Sequence, residues 1–269
     1  FLKKGLEKLG IEAEVEHVEE YKTAYNMFTE SGFTPAHREM MDSIVGDEFE
    51  TYVRTVAAAR RKTEAEVRGL IDEAFFQGAR AVEAGIVDDL LYEDQVAALF
   101  ETDGRPAVRV GLSEYDRVPA VPAGLGGGRR VALIYGSGAI HGGGSTPVSM
   151  GAETVAGWIR TAREDDSIAA VVFRVDSPGG SAVASDSIWR EVMLCRKVKP
   201  FVVSMSDMAG SGGYWISMAA HRIVAQPQTL TGSIGVLSGK VNLEKLMERL
   251  GVTSGEVLRG ARADFFTPF

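Results

Sequence analysis

Cysteine is almost missing from this sequence. The 269 residues hold one, Cys195, so no internal disulfide framework exists and the redox compartment stays open. Long apolar runs are missing too: no stretch of about 18 apolar residues occurs, so no helix of this sequence spans a bilayer. Positive charge is the minority sign, with 29 Lys and Arg against 37 Asp and Glu and a formal net charge of -8. That balance argues against nucleic acid as a partner, because nucleic-acid binders show a basic patch. Histidine is scarce, at four, and neither an HExxH helix nor a cysteine cluster is present, so no metal is expected. The glycine turn DSPGGS fits neither GxGxxG nor GxxxxGK, so no nucleotide cofactor is expected. The chain opens FLKKGLEKLG, without Met or a signal-like segment. It reads as a piece of a longer protein, with room for an anchor upstream.

What is present is organised in three stretches. Within 1–100, residues 1–10 read as a helix closed by Gly10, and IEAEVEHVE alternates with the period of a half-buried strand running towards Glu19–Lys22. Thr34 and Pro35 form an N-cap and a first-turn proline, and Met41, Ile44, Val45, Tyr52, Val53 and Val56 return to one helical face. TEAE at 63–66 is a capping box, and a further helix ends near Phe100. Residues 101–128 carry Pro106, Pro119, Pro122 and GLGGG, and read as a linker. Residues 129–269 alternate strand and helix. VALIY predicts a strand covered on both faces, and the alternation predicts an α/β fold with a mostly parallel sheet and right-handed crossovers. A shift of 241 residues lays LKKGLEKLGI (2–11) on LEKLMERLGV (243–252) with five of ten identities, which suggests two related repeats, both partial. The same shift sets Ala263 opposite Lys22.

The candidate chemistry centres on MAGSGGYW. The apolar run FVVSMS leads into Ser211 among glycines, where the serine is either a helix-capping turn or a nucleophile whose neighbour Gly212 offers an N–H to an oxyanion. DSPGGS is a second glycine turn after a strand, either a bare tight turn or a source of converging N–H groups from Gly179 and Gly180. A nucleophilic hydroxyl needs a base. His17, His37, His141 and His221 have no acid partner at a recognisable spacing. A lysine serves only where burial lowers its pKa by several units from about 10.4. Lys22 in EYKTAY, flanked by Tyr21, Thr23, Ala24 and Tyr25, reads either as such a base or as an ordinary surface lysine, with Lys240 as the rival; the other lysines read as solvated charges.

Four motifs in order, EYKTA, DSPGGS, SMSDMAGSGGYWIS and TLTGSIGV, resemble the bacterial signal peptide peptidase A (protease IV) family over nearly the whole chain. The resemblance implies stacked β-β-α units of the Clp protease and crotonase kind. It implies a long tandem-repeat member, with the lysine in the first repeat (1–100) and the serine in the second (129–269). Ser211 would be the nucleophile of a Ser/Lys dyad and Lys22 its general base. Ser233 would hydrogen-bond the lysine, and Gly212 with Gly179 or Gly180 would form the oxyanion hole. The implied reaction is hydrolysis of cleaved signal peptides and other short apolar peptides, without a cofactor. The implied setting is a homotetramer at the bacterial membrane, anchored by a segment outside this sequence, with its catalytic part on the extracytoplasmic side. MAGSGG departs from the family, which more often has alanine before the serine. A crotonase-type acyl-CoA enzyme and a non-catalytic scaffold of the same fold are the alternatives.

Overall fold

Gly10 takes φ 80°, the left-handed backbone that glycine adopts without strain, and ends helix α1 (Lys3–Leu9). The alternation after it forms strand β1 (Glu12–His17). Helix α2 (Asn26–Thr29) follows, then α3 (Pro35–Arg60), where Thr34 Oγ1 accepts the His37 N–H at 3.2 Å. The capping box at Thr63–Glu66 is formed and opens α4 (Glu64–Glu73). Three short helices come next: α5 (Ala79–Glu83), α6 (Glu93–Ala98) and α7 (Leu112–Tyr115).

The computed structural model describes residues 1–117, 128–265 and 267–268. Pro119, Pro122 and Gly124–Gly127 of the expected linker lie outside the described residues. The chain divides into two compact units, residues 1–44 with 129–269 and residues 45–128, the boundary falling within α3. In the second unit Val53, Ala57 and Val67 form a small core where α3 packs on α4.

The first unit is built on strand and helix in turn. Besides α1, β1, α2 and the start of α3, its elements are β2 (Arg130–Ser137), β3 (Ala139–His141), β4 (Ser149–Gly151), α8 (Ala152–Glu164), β5 (Ile168–Ser177), α9 (Ala182–Cys195), β6 (Phe201–Gly210), α10 (Gly212–Ser217), β7 (Arg222–Val224), β8 (Leu230–Gly232), β9 (Leu237–Asn242) and α11 (Glu244–Arg249). Strands run β2-β5-β6-β7, with β8 beside the far end of β6, and every pair in this sheet is parallel. One sheet face supplies the core: Phe173 and Val175 of β5 and Phe201 and Val203 of β6 pack with Ile159 of α8, Ile188 of α9 and Ile216 of α10. Each such side chain, fully buried, contributes roughly 1.5–3 kcal/mol.

One expectation needs correction. VALIY is not covered on both faces: Val131, Leu133 and Tyr135 are each more than half exposed, while Ile134 is buried. β2 is an edge strand, and the packed helices cover only the face that Ile134 points to.

Two small sheets complete the unit. β3 pairs with β4 in parallel, and β1 pairs with β9 antiparallel, from Glu12 opposite Asn242 to His17 opposite Leu237. The β1–β9 ribbon joins residues more than 200 positions apart, and the turn that follows β1 carries Lys22.

Candidate active site

Parallel neighbours end side by side, so β5 and β6 deliver their glycine turns to one place: Ser177 at the end of β5 pairs with Ala209 near the end of β6. The chain leaves β6 abruptly. Ser211 takes φ 51° and ψ -114°, a conformation that non-glycine residues avoid and that costs of order 1–3 kcal/mol. Its N–H donates to the Gly232 carbonyl at 2.8 Å, and its carbonyl accepts from Trp215 N–H at 2.9 Å. The serine is thereby fixed between β8 and α10, and it makes no side-chain cap bond to the helix. The strained strand-to-helix turn follows the logic of a nucleophile elbow. Parallel pairing of β8 with β6 through Gly232 sets Ser233 abreast of Ser211.

Lys22 arrives from the ribbon. Val18 N–H donates to the Val236 carbonyl, one step past the last ribbon pair, and the turn from Glu19 to Lys22 folds against the segment after Ser233. Lys22 is 5% exposed. Its Nζ lies 3.0 Å from Ser211 Oγ, 189 positions away in sequence. It also lies 3.0 Å from Ser233 Oγ and 2.5 Å from the Ser233 carbonyl oxygen. Burial pushes the amine below the ordinary lysine range, and no neighbouring carboxylate opposes that shift. Three neighbours suit a neutral amine well. All three oxygens lie within donating reach of Nζ, and a neutral amine there would keep two donated bonds to Ser233 and turn its lone pair to the Ser211 hydroxyl.

The other candidate bases are occupied elsewhere. Lys240 forms an ion pair with Glu14 across the ribbon at 3.8 Å. His221 Nδ1 accepts the Phe201 N–H, His141 Nε2 bonds Ser149 Oγ, His17 Nδ1–H donates to the Glu19 carbonyl, and His37 packs edge-on against Phe33. Among the described residues no group of His, Cys, Asp or Glu side chains is placed to hold a metal ion.

The glycine turns meet directly. A Cβ at Gly179 would lie 2.6 Å from Gly212 N and 2.8 Å from Ser211 Cβ, and Gly179 has φ 98°, so both space and backbone call for glycine there. Gly210 differs: a Cβ there meets nothing closer than 3.8 Å, so space does not explain the departure from alanine. Gly212 opens α10, where the first N–H groups lack helical acceptors. A cleft of about 580 Å³ runs past these groups, lined by Lys22, Ser211, Gly180, Gly212 and Ser233 and walled by Tyr25, Trp215, Val236 and Leu237.

Sequence reasoning passed over two serines, both fully buried: Ser177, inside the DSPGGS motif, and Ser185, whose hydroxyl donates to the Ser181 carbonyl at 2.9 Å beside the cleft. Their signal was weak, because a buried serine in a turn or helix looks like any other in sequence.

The sequence profile of peptidase family S49 matches residues 1–105 and 194–269. The chain belongs to peptidase family S49. The S49 chain is 35% identical over 274 residues to the chloroplastic serine protease SPPA of Arabidopsis thaliana, covering 98% of this chain and 40% of that protein. It is 35% identical over 285 residues to Protease 4 of Salmonella typhi, covering 98% of this chain and 44% of that protein. The chain thus spans under half the length of these relatives. A solved 1510-N membrane-bound stomatin-specific protease in complex with a substrate peptide overlaps 39% of this chain and 44% of its own, at 22% identity and a TM-score of 0.32, too loose a match to carry an argument.

Proposed function

We propose that this S49 chain is the catalytic part of a serine endopeptidase working through a Ser211/Lys22 dyad. The observation that carries this reading is the buried, uncompensated Lys22 amine 3.0 Å from a hydroxyl held in a strained turn. Neutral Lys22 takes the proton from Ser211 as Oγ attacks the peptide carbonyl. The N–H groups of Gly212 and of the Gly179–Gly180 turn stabilise the oxyanion, and Gly180 is the one of that pair that lines the cleft. The ammonium then passes its proton to the leaving amine, and the same lysine activates water to release the acyl group. Ser233 holds the amine throughout, through its carbonyl and its hydroxyl.

The apolar cleft wall and the family resemblance support short apolar peptides, cleaved signal peptides among them, as substrates. The resemblance further supports a membrane-anchored homotetramer acting on the extracytoplasmic side. Among the described residues no helix is long and apolar enough to cross a membrane.

A fluorophosphonate probe is expected to label Ser211. Ser211→Ala and Lys22→Ala are each expected to remove peptide hydrolysis and labelling while the melting temperature stays close to that of the parent. Labelling that persists in full in Lys22→Ala removes the lysine from the mechanism. Absence of labelling in the parent protein, with turnover of an acyl-CoA thioester, replaces the peptidase with the crotonase-type alternative.

A further inference from the structure

The mechanism leaves Ser177, a buried polar group at the site, without a role. Ser177 is the last residue of β5 and is fully shielded from solvent. Its hydroxyl donates to the Gly138 carbonyl at 2.7 Å and accepts the Gly179 N–H at 3.1 Å. Gly138 lies at the β2–β3 turn, and its own N–H donates to the Asp176 carbonyl at 2.9 Å. On its other side the Ser177 carbonyl lies so near α10 that a Cβ at Gly213 would sit 2.7 Å from it. Ser177 therefore touches three things at once: the β2–β3 turn, the oxyanion turn, and the start of the helix that follows Ser211.

The bond to Gly179 decides which amide of the turn is available. With its N–H taken by Ser177, Gly179 has no proton left for an oxyanion. β3 settles the orientation of the next residue. Ile140 N–H donates to the Gly179 carbonyl and Ser181 N–H donates to the Ile140 carbonyl, both at 2.9 Å. A parallel bridge of this kind uses the groups flanking Gly180, so the Gly180 N–H points away from β3. Gly180 lines the cleft with Ser211 and Gly212.

We propose that Ser177 is a positioning residue for acyl transfer: its hydroxyl locks the Pro178–Gly180 turn so that the Gly180 N–H, paired with that of Gly212, meets the oxyanion. The inference rests on the peptidase reading. Ser177 never touches substrate; it acts through the amide it sequesters and the turn it ties to Gly138.

The test uses Ser177→Ala and, as a size-matched variant with a weakly bonding thiol, Ser177→Cys, in the whole chain, well below the melting temperature and normalised to folded protein. Removing an oxyanion donor outright costs about a hundred- to thousandfold in kcat, so loosening one is expected to cost about ten- to a hundredfold. KM is expected to stay within about twofold. Inhibition by a peptide aldehyde, which forms a tetrahedral adduct, should weaken in parallel with kcat/KM, whereas inhibition by the product peptide should not. Ser177→Cys is expected to show the same split with a smaller loss, and it decides the matter if Ser177→Ala does not fold. Unchanged kcat in either folded variant, or equal weakening of aldehyde and product peptide, overturns the proposal and leaves the peptidase reading standing. A parent protein that hydrolyses no peptide and takes no fluorophosphonate at Ser211 overturns both.

Discussion

Lys22 is unusual for the company it keeps, because its nearest partners are two serines and a carbonyl, with no acid. Burial shifts this amine towards its neutral form, the form that the proposed chemistry requires. The pH dependence follows in sign. The folded-state pKa lies below the unfolded one, so between the two the unfolded chain binds more protons, and folding stability rises with pH across that window. Measured against Lys22→Met by denaturant titration, the parent is expected to gain stability as pH climbs towards about 10.4. For activity, kcat/KM should rise with pH through an apparent pKa below the ordinary lysine range, the limb set by the free amine. Lys22→Arg should be inactive throughout, because a guanidinium keeps its proton. An ascending limb that persists in an active Lys22→Arg protein would assign the titration to another group.

Among the elements, the β1–β9 ribbon matters most to the site. Its strands are short and half-exposed, and little core holds them. Its register nevertheless decides where Lys22 falls. Gly239 is the tight point: a Cβ there would lie 2.6 Å from the Glu14 carbonyl and 2.8 Å from Val15 Cγ2. Gly239→Val is expected to part the strands, lower kcat/KM about a hundredfold, as misplacement by about 1 Å can, and slow labelling of Ser211. Far-UV circular dichroism should barely change, since the parallel sheet and its helices do not depend on the ribbon. Retention of full activity in Gly239→Val would show that Lys22 is placed by something else. The alternation that predicted β1 was legible in IEAEVEHVE, but its partner was not. An antiparallel ribbon closed over more than 200 residues leaves no local trace, and LSGKVN carries little strand character of its own.

At the scale of the whole molecule, what the sequence disclosed divides along the same physical line. Local signals carried through: the left-handed Gly10, the Thr34 cap, the capping box at Thr63–Glu66 and the strand–helix alternation of the parallel sheet. Non-local facts did not: the exposed face of β2 and the burial of Ser177 depend on what tertiary packing covers, and the meeting of Lys22 with Ser211 was expected only through the family resemblance. We further propose that residues 1–100 and 129–269 are parts of two related repeats; support comes from α1 and α11, similar in sequence and each closed by a left-handed glycine, Gly10 at φ 80° and Gly251 at φ 70°. The lone cysteine offers a probe of the sheet unit as a whole. Cys195 is buried in the helix layer, and burial raises its thiol pKa, so both access and thiolate are suppressed. Iodoacetamide should modify it only in step with global unfolding; fast modification of the native protein would mean that α9 opens on its own.

If the proposed dyad acts, the ribbon gives this molecule a form of proofreading. Strand side chains alternate with a period of two, so a slip of one residue between β1 and β9 would swing the turn beyond Val18 towards the opposite side. A mispaired copy would then carry its alcohol without its amine. On the proposed mechanism, errors in folding would yield an inert protein and not an enzyme of relaxed selectivity, a safeguard that a contiguous dyad on one turn would lack.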